Sequence, residues 1–529
     1  MRFKVVIAGI MCSIIVTTSA LGGAIAGVQT ANARAGHPDN QVSAGFALSK
    51  IAEGANPLEN PSGLITTFGY LNDFPPQTIE RTRTEPDENT YLILEKNPGG
   101  PTADFDYGTH FLFQGHENGN DLAYVTRINL DVTDPAHRIT LLTPPGSDGK
   151  TGFSSIDGSV WNPFTQSMLF TQERGFPGGG VIEISRDWPP VVRRLDGIIG
   201  SSGYEGIRPD NHGNLLICED AGGTAVNVVR GDATTARTAR QPNSFVYMFV
   251  PNDKTDLAKG GKLMALQVLI DRQPVVFHGS DAVGDVFADS QLKLNAPGSI
   301  WPCRWVTVHD TDIDGMAAFN SNAVAKAAGA TPFKRPENAQ FLPGSGFTTF
   351  FFSATGDTDA EAGKQPELAA RGAWGALFRV DLVGPNLEGG LISLFALGDK
   401  DHASFDNMTF ADSKTLLVAE DRGEGLHTQL NMFDSVWAYT VRGGGEGAEK
   451  TVRLIALGRD SEAEIDAGLA GTAGFQNDTD NEPTGLIVSD GASSIHGLLG
   501  RSAPNKQEAR WFITQQHGKN TIFQIVRTN

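Results

Sequence analysis

One local pattern recurs along this chain and constrains its fold more than any other feature: an apolar run that ends in polar or acidic residues and a turn. It appears as Phe111-Leu-Phe-Gln-Gly-His-Glu117, Leu169-Phe-Thr-Gln-Glu173-Arg-Gly175, Leu215-Leu-Ile-Cys-Glu219-Asp220, Phe350-Phe-Phe-Ser-Ala-Thr-Gly356-Asp357, Leu416-Leu-Val-Ala-Glu420-Asp421 and Trp511-Phe-Ile-Thr-Gln-Gln516-His517-Gly518. Each predicts a short buried strand closed by a turn. A second β-rich run follows each one, at 123–130, 180–185, 244–250, 375–382, 435–441 and 521–526, and a third follows five of them, as at 262–268, 391–397 and 451–457. Upstream, tight turns such as Asp210-Asn-His-Gly-Asn214 and Asp412-Ser-Lys join a further strand. Four short strands per unit, repeated six times, predict an all-β six-bladed β-propeller with loop insertions. The chain ends early in its last unit, so N-terminal strands are expected to complete that blade. Two β-sandwich domains would give a similar series of strands and remain the alternative. The best helical stretch is 321–328.

Residues 1–35 contain Arg2, Lys4 and Arg34, no acidic residue, and an apolar run from Val5 that fades into small residues by Ala26. That is the pattern of a secretory signal peptide, with Ala33-Arg34-Ala35 predicting cleavage before Gly36 and Ala24-Ile25-Ala26 a competing site. An uncleaved anchor is the other reading. The expectation is a periplasmic or extracellular protein in which 36–529 form a single propeller domain. Cleavage removes three of the 42 basic residues and none of the 61 acidic ones. So acidic a surface repels nucleic acid and anionic lipid and attracts hard cations, which predicts neither as a partner and a monomer in solution. Of three cysteines, Cys12 lies in the leader; the sequence leaves open whether Cys218 and Cys303 pair.

If the strands from Leu169, Leu215, Leu416 and Trp511 are innermost, their polar ends converge on a central channel. That collects Glu173, Glu219, Asp220, Glu420 and Asp421. The upstream strands begin with Asp157, Glu205, Glu337-Asn338, Asp406-Asn407 and Glu482, which join the same set. Each residue alone is either a turn former or a metal ligand. Together they would raise one another's pKa, so the cluster implies bound cations, calcium above all, or arginine partners, of which these motifs hold Arg208, Arg335 and Arg422.

Several ordered motifs carry a resemblance to a known family: Gly203-Tyr-Glu-Gly206 with 215–220, Gly329-Ala-Thr-Pro-Phe-Lys-Arg335-Pro-Glu337, Phe405-Asp-Asn407 with 418–421, and Asn481-Glu-Pro-Thr-Gly485 with Gln515-Gln-His-Gly518. From about Gly152 onward the chain resembles the PhoX-type secreted alkaline phosphatases, propellers with metal ions in the channel. The resemblance implies a calcium and iron cluster held by Glu173, Glu205, Glu337 and neighbouring carboxylates. It also implies a small phosphorylated substrate oriented by Arg335, with Arg335 and Glu337 as the catalytic pair. A planar guanidinium suits two phosphate oxygens at once. The sequence departs from the family where its Cys should stand: Ser154-Ser-Ile-Asp157-Gly158 precedes Trp161, Phe170-Thr-Gln-Glu173 has no thiol, and Tyr204 replaces a His. Iron thereby loses its thiolate, and Asp157 favours calcium or magnesium. The alternatives are a non-catalytic calcium-binding propeller and a calcium-dependent lactonase-like hydrolase.

Weaker signals remain. Asp310-Thr-Asp312-Ile-Asp314-Gly315 matches half a calcium loop, but Ser321 occupies its twelfth position. Gly146-Ser-Asp-Gly-Lys150-Thr151 imitates a phosphate loop without its first Gly. His116, His212 and His517 are ligands or plain strand-end histidines. There is no G-x-S-x-G elbow and no H-E-x-x-H helix.

Overall fold

The computed structural model describes residues 25–30, 39–69, 84–384, 387–441, 451–457, 482–489, 510–516 and 519–528. Most of the expected signal peptide, with Cys12, lies outside these, as does His517. The fold is all-β apart from short helices, and its sheets are arranged like the blades of a propeller. Two four-stranded antiparallel meanders come first, Glu85–Ile93 through Ile139–Leu141 and Ile156–Asn162 through Val192–Arg194. A third sheet runs from Phe405–Asp412 through Thr451–Ala456 and takes Gln41–Val42 as its outer strand. The fourth comprises Pro483–Ser489, Arg510–Gln515 and Thr521–Arg527, closed by Phe46–Ala52 from the other end of the chain. N-terminal strands thus complete the last sheet, as its truncated pattern predicts.

Between these lies one ten-stranded sheet. Two further meanders, Tyr204–Pro209 through Gly261–Ile270 and Pro336–Phe341 through Gly389–Leu397, are fused at their outer edges by the long strand Ile300–Asp310. The expected helix forms as Ser321–Ala327, capped by Asn320, whose side chain accepts from the Ala323 N–H.

Why the runs are continuously apolar is visible along Leu215–Glu219. Leu215 and Ile217 enter one hydrophobic cluster while Leu216 and Cys218 enter the next. Both faces of the strand are covered by neighbouring sheets, so neither can be polar. Burying each such side chain is worth about 1.5–3 kcal/mol. Cys218 and Cys303 share the second cluster as free thiols, and burial pushes the Cys303 thiol up to about 12.

The expectation about innermost strands is corrected. Strands from Leu169, Leu215, Leu416 and Trp511 are second in their sheets. The innermost are those upstream: Glu85–Ile93 packs between Pro483–Ser489 and Ile156–Asn162, and Tyr204–Pro209, Pro336–Phe341 and Phe405–Asp412 continue the circuit back to Pro483–Ser489. Only a strand at a sheet's edge can line a channel, and the upstream strands occupy that edge.

Candidate functional site

On every inner strand the pairing with the second strand slips at the same place: between Pro86 and Asn89, Ile156 and Ser159, Tyr204 and Ile207, Pro336 and Ala339, Phe405 and Met408, and Thr484 and Ile487. Such a bulge breaks the pleat and re-aims a side chain. On five of these strands the first residue inside the slip is an acid, namely Asp87, Asp157, Glu205, Glu337 and Asp406, and all five line one polar cup of about 280 Å³. Left-handed backbone precedes three of them: Ser155 has φ 44°, Arg335 56° and Ser404 55°. Non-glycine residues occupy that region at some cost, and it recurs at functional sites. Glycine lets the inner strands approach, since a Cβ on Gly158 would lie 2.2 Å from the Glu205 carbonyl oxygen.

The second strands add the rest of the wall. Glu117 lines the cup from the end of its strand, Glu173, Asp421 and Gln516 from just beyond theirs, and Glu85 and Glu482 line it at or just before the start of inner ones. Glu219 and Glu420, expected here as metal ligands, are not in the cup. Glu420 is one residue short of the lining Asp421, and strand alternation turns it away, while neither Glu219 nor the Asp220 that follows it reaches the cup. Glu219 accepts hydrogen bonds from Ser202 Oγ, Phe245 N (3.0 Å) and Tyr247 Oη (2.9 Å). Glu420 accepts from Ala403 N (2.9 Å) and pairs with fully buried Arg422 at 2.7 Å. Asp220 also stands back from the cup, gripping Arg335 through Nε and Nη2, both at 2.7 Å.

Sequence reasoning missed Glu85 and Asp87 and left Glu117 and Gln516 in their motifs without a role. The signal for the first two was the spacing around Pro86: Glu85-Pro-Asp87-Glu88 is in register with Arg335-Pro-Glu337-Asn338 and Glu482-Pro-Thr484-Gly485.

Ten carboxylates and a single guanidinium, that of Arg335, line the cup among the described residues. Burial, and then neighbouring carboxylates, push Asp157, Glu205 and Asp406 well above the ordinary range. Burial likewise raises Asp87 and Glu337 to about 7, although Asp87 accepts from Thr484 Oγ1 and Glu337 from Thr355 Oγ1. Burial opposes the Arg335 charge, but Asp220 and Glu337 outweigh it and keep the guanidinium protonated. Its Nη1 has no protein partner among the described residues.

Three overlapping triads offer ligand oxygens within 4.8 Å of one another: Asp87, Glu117 and Asp157; Asp157, Glu173 and Glu205; Glu205, Glu337 and Asp406. Glu337 Oε2 is buried without a hydrogen-bond partner. An orphaned carboxylate oxygen in a donor set that is all oxygen among the described residues suits a hard cation such as calcium better than iron. Below the cup, Glu88 accepts from Arg208 (2.7 Å), Ser159 N (2.7 Å) and Asn338 Nδ2, tying four inner strands into a neutralised floor. Arg208 is structural. So are the Asp310 loop, where Asp310 caps a helical turn through Asp312 N, and His116, buried against Thr84, Tyr124 and Thr126. No helix among the described residues is long and apolar enough to cross a membrane.

Comparisons with known proteins add little to this geometry. No protein-family model and no curated protein sequence matches the chain, so the resemblance to secreted phosphatases rests on its motifs alone. Among solved structures, a protein described as a 6-phosphogluconolactonase from Bacteroides fragilis is similar over 84% of this chain and 96% of its own, at 8% identity and a TM-score of 0.33.

Proposed function

We propose that this chain is a six-bladed propeller hydrolase whose channel cup binds hard divalent cations, calcium foremost, to hold and cleave a small phosphomonoester. The observation that carries the reading is the chain of three carboxylate triads ending beside Arg335. Five bulges aiming five acids at one point would be strongly self-repelling without bound cations. Glu337, Glu205 and Asp406 would hold one ion, and Asp157 would link it through Glu205 to the others. Cations bound there would neutralise the phosphoryl oxygens and lower the pKa of an attacking oxygen.

The chain's own contribution is orientation. Asp220 anchors Arg335 through Nε and Nη2, leaving Nη1 to meet an anionic substrate. The described lining side chains that could attack are carboxylates, and water held by a bound cation would be the other nucleophile. The leader at 1–35 and export from the cytoplasm belong to the same proposal.

The hold of Asp220 on Arg335 favours a second reading, a lactonase-like hydrolase, because water attack on a cation-bound carbonyl needs no phosphate clamp. Assays of chelator-treated and calcium-restored protein with 4-nitrophenyl phosphate and with a γ-lactone separate the two. Calcium-dependent phosphate release that drops at least tenfold in Arg335→Lys is expected. Lactone opening without phosphate release would support the second reading, and turnover of neither would leave a binding protein.

A further inference from the structure

A second cavity, of about 510 Å³, shares no lining residue with the cup. From the inner strand outward, Tyr204–Pro209, Leu215–Glu219, Val246–Pro251 and Gly261–Ile270 run antiparallel in turn, so the loop that leaves Ile270 emerges on the cup's face of the propeller but at the outer edge of the blade. That loop begins with a tight turn. Asp271 at φ 52° and Arg272 at φ 67° supply the two left-handed positions that return Gln273-Pro274 onto Leu269-Ile270. The chain then passes through His278 into two short helices, Ala282–Val286 and Asp289–Leu294, and the hairpin and helices line the cavity together with Pro242 and Pro332.

Its polar centre is the pair of His278 and Asp285. Asp285 is buried with both oxygens taken: Oδ1 meets His278 Nδ1 at 2.6 Å, and Oδ2 accepts from His278 N (2.8 Å) and Gln241 Nε2 (2.8 Å). A carboxylate only accepts, so Nδ1 carries the proton and the neutral ring keeps its lone pair at Nε2, an acceptor held in place. That Nε2 has no partner among the described residues, and the His278 ring is exposed. Gln291 lines the cavity from the helical side. It is 4% exposed, and its side-chain amide has no hydrogen-bond partner among the described residues. Leaving such a group unsatisfied is costly, so a molecule that both donates and accepts belongs beside it.

The charges are committed elsewhere. Lys293 pairs with Asp271, and Asp281 caps its helix through Gly284 N (2.8 Å). No unpaired cation lines the cavity among the described residues, and Asp281 and Asp285 oppose an anion. What remains to bind is neutral: the imidazole, the Gln291 amide, and the hydroxyls of Ser280 and Ser290. Val275 and the rings of Pro242, Pro274 and Pro332 add C–H surface. Cavities of this size hold small molecules. We propose that this cavity binds a small neutral polyol of the sugar class, one hydroxyl donating to His278 Nε2, another bonded to the Gln291 amide, and its C–H face lying on the prolines.

Titration calorimetry of the chelator-treated full chain, in which no calcium can hold a sugar in the cup, tests it with methyl α-D-glucopyranoside and with the corresponding glucuronide. The expected result is saturable binding of the glucoside at one site and at least tenfold weaker binding of the glucuronide. His278→Asn keeps an amide to donate to Asp285 but has no Nε2, and Gln291→Leu keeps the volume but has no amide; each should weaken glucoside binding at least tenfold. Asp157→Asn in the cup should leave it unchanged. Ser290→Tyr, at a half-buried position with no hydrogen bond to lose, narrows the cavity and should act likewise if melting shows the other two to be misfolded. Absence of saturable glucoside binding, equal or tighter binding of the glucuronide, parental affinity in any folded cavity variant, or loss of binding in Asp157→Asn would overturn the proposal.

Discussion

Asp157 and Glu205 each belong to two carboxylate triads at once, so a substitution there reaches more of the cup than one at its edge. Asp157→Asn should lower calcium affinity at least tenfold, and more than Glu117→Gln does, as measured by calorimetry. The same variant should melt higher than the parent in chelator, because it removes one repelling charge. Glu420 behaves differently. Replacing it with Ala leaves Arg422 buried beside Asp434, so Glu420→Ala should destabilise by about 3–5 kcal/mol in a denaturant titration while calcium stoichiometry is unchanged. Residue types and their neighbourhood were legible in the sequence, but a one-residue offset was not. Glu420 and Asp421 are adjacent acids at a strand end, and only the pairing of Glu420 with Phe405 decides which of them meets the channel.

At the scale of elements, the strand series, the hairpin turns and the closure by N-terminal strands follow from pattern alone, since buried runs and turn residues are local properties. Bulges are not local. The slip between Ile156 and Ser159 exists only relative to Gln172 and Phe170, which is why Asp157 could be suspected but its aim could not be derived. The long strand at 300–310 was also hidden: it is half exposed and Pro302, Arg304 and Thr307 interrupt its apolar residues, so it lacks the continuous run that marks the other strands. Gly158 tests the bulge directly. In Gly158→Ala the added methyl would meet the Glu205 backbone, which belongs to the next inner strand and has no room to yield. The variant should lose roughly 2 kcal/mol or more of stability, together with most of its calcium affinity. Gly175→Ala, with open space around it, should change neither.

For the molecule as a whole, the cup sets how stability depends on pH. A carboxyl whose native pKa is raised binds more protons folded than unfolded between its ordinary value near 4 and its native one. Stability contributed by such a group is therefore present at low pH and lost as pH rises through the native value. With Asp87 and Glu337 near 7 and their neighbours also raised, the chelator-treated protein should lose melting temperature steadily from about pH 5 to pH 8. Saturating calcium should flatten that slope, since bound cations supply the missing counter-charge, and a site filled to a hundred times its dissociation constant adds about 2.7 kcal/mol. The most direct measurement of the central claim is a calcium titration of the chelator-treated chain at neutral pH, followed by calorimetry. The account predicts more than one calcium ion bound per chain and loss of that binding when Asp157 and Glu205 are both changed to their amides; zero stoichiometry, or binding that survives the double change intact, would contradict it.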